Sequence, residues 1–302
     1  MNPHHRLNRR AFITTTSGAS LAALLQGATP ETAHKFKLKA AQARAIAMTS
    51  DELVVIAADR SLLVHRLSGE LVREIGTARP VRAVCGGTNG GLFVTFSDQV
   101  AYVNAKGEIQ TLGGKLSTSS ALTGIAVADD GRIFAADSAQ RVIWRMDPHG
   151  KVLGQICPQE RGFAVPRAFF PISWHGGQLV VAEPGRHQIQ RYSADGELVS
   201  KWGARSRDAE GFAGCCNPVA IAMAADGSVV TVERGQVRVK RFDAAGSLVR
   251  QVAGPEHFAG AIPDDDVGGL FGCEGGLLDV AASHEGQIVV LDRTALEVLV
   301  LA

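Results

Sequence analysis

The chain has no excess of charge of either sign. Lysine and arginine number 31 against 30 aspartates and glutamates, a net charge of +1 over 302 residues, so it carries no electrostatic footprint for a nucleic acid or an anionic membrane. Its five cysteines contain no Cys-x-x-Cys pair, and its nine histidines do not cluster. With no nucleophile-elbow sequence either, the compact signals for a zinc knuckle, a histidine-based metal centre or a Ser-His-Asp hydrolase are all missing. Asparagine is scarce beyond the N-terminal segment, with only Asn89, Asn104 and Asn217. What the chain does have is 46% hydrophobic residues, 20% charged residues and 34 glycines, the composition of a folded, turn-rich β protein.

The dominant feature is a repeat. An apolar strand, a tight polar turn and a second strand ending in a small residue plus a carboxylate recur at Ala45 to Asp59, Ala83 to Asp98, Gly124 to Asp137, Phe170 to Glu183, Ala220 to Glu233 and Leu278 to Asp292. A fixed-order unit recurring about every 40 to 50 residues is the signature of a propeller or solenoid. The third unit shows the grammar best. Small, apolar Gly124-Ile125-Ala126-Val127 suits an innermost strand crowded around an axis, and Asp129-Asp130-Gly131 supplies a hairpin turn. A second strand runs to Asp137, a third spans 142–147, Pro148-His149-Gly150 turns the chain again, and a fourth spans 151–156. Turns this short require antiparallel meanders. A four-stranded blade buries too little alone, so the blades must pack around a ring whose closure protects their edges. The last unit has only three strands, ending with Glu297-Val298-Leu299-Val300-Leu301, and the alternation of Phe36-Lys37-Leu38-Lys39-Ala40 predicts that it supplies the missing outer one.

These units resemble NHL repeats, short propeller repeats with an apolar strand, an Asp-Gly-type turn and an Ala-Asp ending. Gly124 through Asp137 is the best match, and unit two is the weakest because Ser97 replaces the carboxylate. The resemblance spans residues 40–302 and implies an all-β, six-bladed propeller over 36–302, with four antiparallel strands per blade. Such folds host binding modules, lyases and lactonases, so the resemblance implies no single reaction. The propeller lyases it resembles use several histidines around a zinc, a set this chain does not have.

Residues 1–33 stand outside the repeat. Asn8-Arg9-Arg10-Ala11-Phe12-Ile13, followed by a mildly apolar stretch to Ala28, resembles a twin-arginine export signal. Its apolar part is too short and polar to span a bilayer. The expected location is therefore periplasmic or otherwise extracytoplasmic, with membrane contact only through an uncleaved signal segment. Because this pathway carries folded proteins, the cysteines would meet their first partners in a reducing compartment.

Propeller geometry places the second-to-third-strand loops and the interblade connections on one face. That face receives Cys157, Cys215, Cys216 and Cys273, whereas Cys85 falls inside an inner strand and reads as a small core residue. The four cysteines could be metal ligands, disulfides made after export, or unpaired structural thiols. Asp59, Asp137, Glu183, Glu233 and Asp292 end second strands on the same face, where His257 and Asp264-Asp265-Asp266 also fall. Asp137, Glu183, Glu233, His257 and Asp292 are thus candidate ligand-face residues. The carboxylates read either as cation or substrate ligands, or as a repeated device bonding loop amides and nearby arginines. The leading expectation is a monomeric binding or scaffold module for a protein or small molecule, acting through this face. The alternative is a metal-dependent enzyme or redox protein using the four cysteines. No cofactor is specified beyond that candidate metal ion, and nucleic acid is not an expected partner.

Overall fold

Alternating β-branched and small residues between glycine turns can bury one face of each strand only if the sheets stack, and that is what the chain does. The computed structural model describes residues 34–87, 90–158, 161–258 and 278–302. It contains six sheets of four antiparallel strands, each a meander whose strands pair in chain order except in blade six. The inner strands are Ala43–Met48, Ala83–Gly86, Leu122–Val127, Ile172–His175, Ala220–Met223 and Leu278–Ala282. Blade three runs through Ile133–Asp137, Val142–Met146 and Val152–Ile156, close to the spans expected from its sequence.

The ring closes as expected, with a small change of register. The N-terminal strand is His34–Lys37, which pairs with Glu297–Leu301 from His34 opposite Val300 to Lys37 opposite Glu297. It ends earlier than Ala40 because Leu38 turns inward, packing in the cluster between blades six and one. The amides of Ala41 and Gln42 are then taken by the Asp59 carboxylate, each at 2.9 Å.

The core is distributed. Each blade-to-blade interface holds its own hydrophobic cluster, such as Val55, Leu62, Val64, Val84 and Val94 between blades one and two, or Phe134, Phe163, Phe170, Leu179 and Tyr192 between three and four. The other four interfaces are built the same way. Crowding at the axis explains the small inner-strand residues. A Cβ on Gly124 would overlap the carbonyl oxygen of Phe170, and one on Gly86 would lie 2.5 Å from that of Met48. Among the described residues no helix is long and apolar enough to cross a membrane. The proposed signal segment lies outside the described residues.

Candidate functional site

The carboxylates that end the second strands are turned toward their own connections. Asp137 is fully buried and accepts the amides of Ala121 at 3.0 Å and of Ala139 and Gln140 at 3.1 Å, and its second oxygen faces the Trp144 indole N–H at 3.3 Å. Glu183 accepts the Ala164 amide at 2.8 Å and the Gln190 side-chain amide at 2.5 Å, with the Arg186 guanidinium at 3.2 Å. Glu233 accepts the Ala213 amide at 2.8 Å and a guanidinium N–H of Arg238 at 2.8 Å. Asp292 caps the amides of Thr294 and Ala295 at 2.9 and 2.8 Å, and the connection preceding its blade lies outside the described residues. In blade two, Asp98 rather than Ser97 carries the charge, pairing with Arg79 at 2.6 Å. Asp98, Asp137, Glu183 and Glu233 therefore tie an interblade connection to their blades, Asp292 caps the loop that follows it, and none of them lines the axial channel.

The other predicted residues are also spread around the rim. Cys157 directly follows the outer strand of blade three and is exposed. Cys215 lies 3.6 Å from a guanidinium nitrogen of Arg234, while Cys216 packs on the cluster between blades five and six. Cys273 and Asp264-Asp265-Asp266 lie outside the described residues. His257 ends a short 3-10 turn at the outer edge, with its Nδ1 2.9 Å from Glu256 and its carbonyl accepting from Lys35. Among the described residues, no three His, Cys, Asp or Glu side chains come close enough to share a metal ion, and no disulfide joins Cys85, Cys157, Cys215 and Cys216.

What the fold does bring together is an axial channel that strand-end reasoning passes over. Ile46, Val84, Ile125, Ile172, Ile221 and Val280, one from each inner strand, line both of its chambers and so mark the constriction between them. Register confirms their equivalence: each faces the middle of its second strand, as Ile46 faces Ile56 and Ile125 faces Ala135. Two residues further along each inner strand, Met48, Gly86, Val127, Trp174, Met223 and Ala282 wall a chamber of about 270 Å³ that opens among the first hairpins, beside Ser50 and His284. Cys85 belongs to this wall, and burial pushes its thiol up to about 12, which keeps it protonated and unreactive.

In the other direction lies a chamber of about 90 Å³ on the connection face, lined by Arg44, Arg82, Thr123, Asp279 and Arg293 together with Phe169 and Val219. Arg44 and Thr123 are the extra residues of β-bulges, between Ala43 and Ala45 and between Leu122 and Gly124, a device that re-aims a side chain at the end of a strand. Arg44 donates to the Asp59 carbonyl at 3.3 Å and to the Gln42 side-chain oxygen at 2.5 Å. Asp279 accepts the Ile46 amide at 3.1 Å across the closure and lies 3.4 Å from Arg293. Arg82 is half-buried, and its guanidinium is held below the usual arginine range by burial first and then by repulsion from Arg44 and Arg167. The sequence signal that would have found this chamber is the residue two before each ring position: Arg44, Arg82 and Thr123.

No family model and no curated protein matches the chain. Solved structures do. A streptogramin B lyase superposes with a TM-score of 0.60 at 15% identity, over 90% of this chain and 97% of its own. Virginiamycin B lyase from Staphylococcus aureus gives 0.60 at 16%, over 90% and 99%. A protein of unknown function from Bacteroides thetaiotaomicron gives 0.63 at 13%, over 89% and 72%. At these identities the likeness is one of fold, a six-bladed propeller, and fold alone carries no reaction.

Proposed function

We propose that the chain is an exported, NHL-type propeller that acts as a binding module, taking a small ligand at the axis on the face of the interblade connections. The observation that carries this reading is the chamber between Arg44, Arg82, Thr123 and Arg293: a concave site at the centre of a rigid ring, with polar groups converging on it. Four of the connections around it are pinned by carboxylates, so that part of the mouth is held in place without a ligand.

The test is a thermal-shift screen of anionic, neutral and cationic small molecules against the parent and Thr123→Trp, whose indole would fill the narrow chamber. Compounds that stabilise the parent are expected to lose that effect in the variant; hits that stabilise both equally would overturn the axial site. Export has its own readout. Replacing Arg9 and Arg10 by lysine is expected to leave the protein in the cytoplasm, and unchanged fractionation would remove export from the reading.

A further inference from the structure

The narrow chamber contains two polar groups whose hydrogen-bonding capacity is unused. The Thr123 hydroxyl is shielded from solvent and has no hydrogen-bond partner among the described residues. Arg82 occupies the same level one blade away, two residues before Val84 as Thr123 is two before Ile125. Among the described residues no hydrogen bond or ion pair engages its guanidinium, although that group is half-buried and faces two other arginines. A buried hydroxyl left without a partner gives up its hydration with no return, so a native structure that keeps one a blade away from a half-buried guanidinium with no protein partner among the described residues calls for an explanation.

The charge balance of the chamber points the same way. Its lining holds Arg44, Arg82 and Arg293 against the single carboxylate Asp279. That carboxylate is already engaged by the Ile46 amide and by Arg293. Asp59, whose carbonyl accepts from Arg44, spends both carboxylate oxygens on the amides of Ala41 and Gln42. Among the described lining residues no carboxylate is therefore left over for Arg82.

We propose that this chamber binds the oxyanion group of a small ligand, a carboxylate or a phosphate, with Arg82 as its principal donor and the Thr123 hydroxyl, turned about χ1 toward the chamber, as the second. The inference rests on the axial-site reading and gives it a ligand class. A guanidinium fork and a hydroxyl match the geometry of either oxyanion. The volume of about 90 Å³ is several times the roughly 10–15 Å³ that holds one ordered water, which leaves room for the anionic group. The remainder of the ligand would lie toward the connection face, since the Ile/Val ring bounds the inner end.

Isothermal titration calorimetry of the purified full chain at low ionic strength, with malonate and inorganic phosphate at millimolar concentrations, tests the proposal and distinguishes the two chemistries. One equivalent of at least one anion is expected to bind. Arg82→Gln should weaken it at least tenfold and Thr123→Val at least threefold, whereas Arg132→Gln, at a hairpin of the opposite face, should leave it unchanged. In anion-free buffer Arg82→Gln should melt no lower than the parent, because it removes a repelled and partly desolvated cation. Failure of both anions to bind, equal affinity in Arg82→Gln, an equal loss in Arg132→Gln, or a lowered melting temperature of Arg82→Gln would each overturn the oxyanion site. If neither anion binds while neutral compounds remain sensitive to Thr123→Trp, the axial reading survives and the oxyanion does not; if no compound is sensitive to Thr123→Trp, the axial reading itself falls.

Discussion

Lys240 has no exposed surface, yet it carries a charge whose neighbours explain both its position and its cost. Its ammonium lies 2.5 Å from Glu233, donates to the carbonyls of Gly211 at 2.6 Å and Ala209 at 2.9 Å, and sits 4.9 and 5.0 Å from the ring centres of Phe212 and Phe242. Burial lowers its affinity for the proton, and Glu233 offsets part of that shift. Arg238 reinforces the cluster through the carbonyls of Arg207, Asp208 and Gly211. The two cations thereby hold down the long connection between blades four and five, which would otherwise be a surface loop. Removing one partner of a buried pair leaves the others uncompensated, so Glu233→Ala is expected to destabilise the protein by about 3–5 kcal/mol. Glu233→Leu combined with Lys240→Met should recover more than half of that loss. Urea denaturation of the three proteins measures both, and a loss below about 1 kcal/mol in the single variant would show that the cluster is not structural.

At the scale of elements, four of the turns between third and fourth strands share one design with different chemistry. Asn104, Asp147, Ser193 and Asp243 each use a side-chain oxygen to accept two amides across a turn closed by a glycine, as Asp147 does for His149 and Lys151 at 2.9 Å. Those bonds hold the Asp147 and Asp243 carboxyls below their usual value, chiefly through the amides of Lys151 and Ser247. A carboxyl whose folded pKa lies below its unfolded one contributes stability at higher pH and loses it as pH falls through the folded pKa. Hydrogen exchange, corrected for intrinsic rates, should therefore show protection at Lys151 and Ser247 falling below about pH 4. Protection at Glu108, whose amide is bonded to the non-titrating Asn104, should persist; parallel loss at all three amides would instead indicate global unfolding.

At the scale of the whole molecule, closure depends on four residues near one end of the chain. Phe36 of the N-terminal strand stacks on His65 of blade one at 5.1 Å, and the strand covers the apolar edge strand Glu297–Leu301. Two variants that begin at residue 34 and at residue 39 test this closure. The shorter one leaves an unpaired, hydrophobic edge and is expected to melt lower and to form larger species by light scattering. Equal melting temperatures and a monodisperse profile for both would show that the ring closes without the strand. The strand was legible in advance because alternation and a missing fourth strand are both visible along the chain. The carboxylates were legible as a repeat, but which of two roles they have was not, since that depends on which amides the connections bring to them. The axial chamber was the least visible part: Arg44, Arg82 and Thr123 are unremarkable until six inner strands are brought side by side.

The amino-acid sequence by itself determined the architecture, because strand period, turn chemistry and repeat length are local properties written along the chain. Only the tertiary structure decided where polar groups converge, because that convergence joins one or two residues from each of several blades, far apart in sequence, at an axis that no single repeat contains.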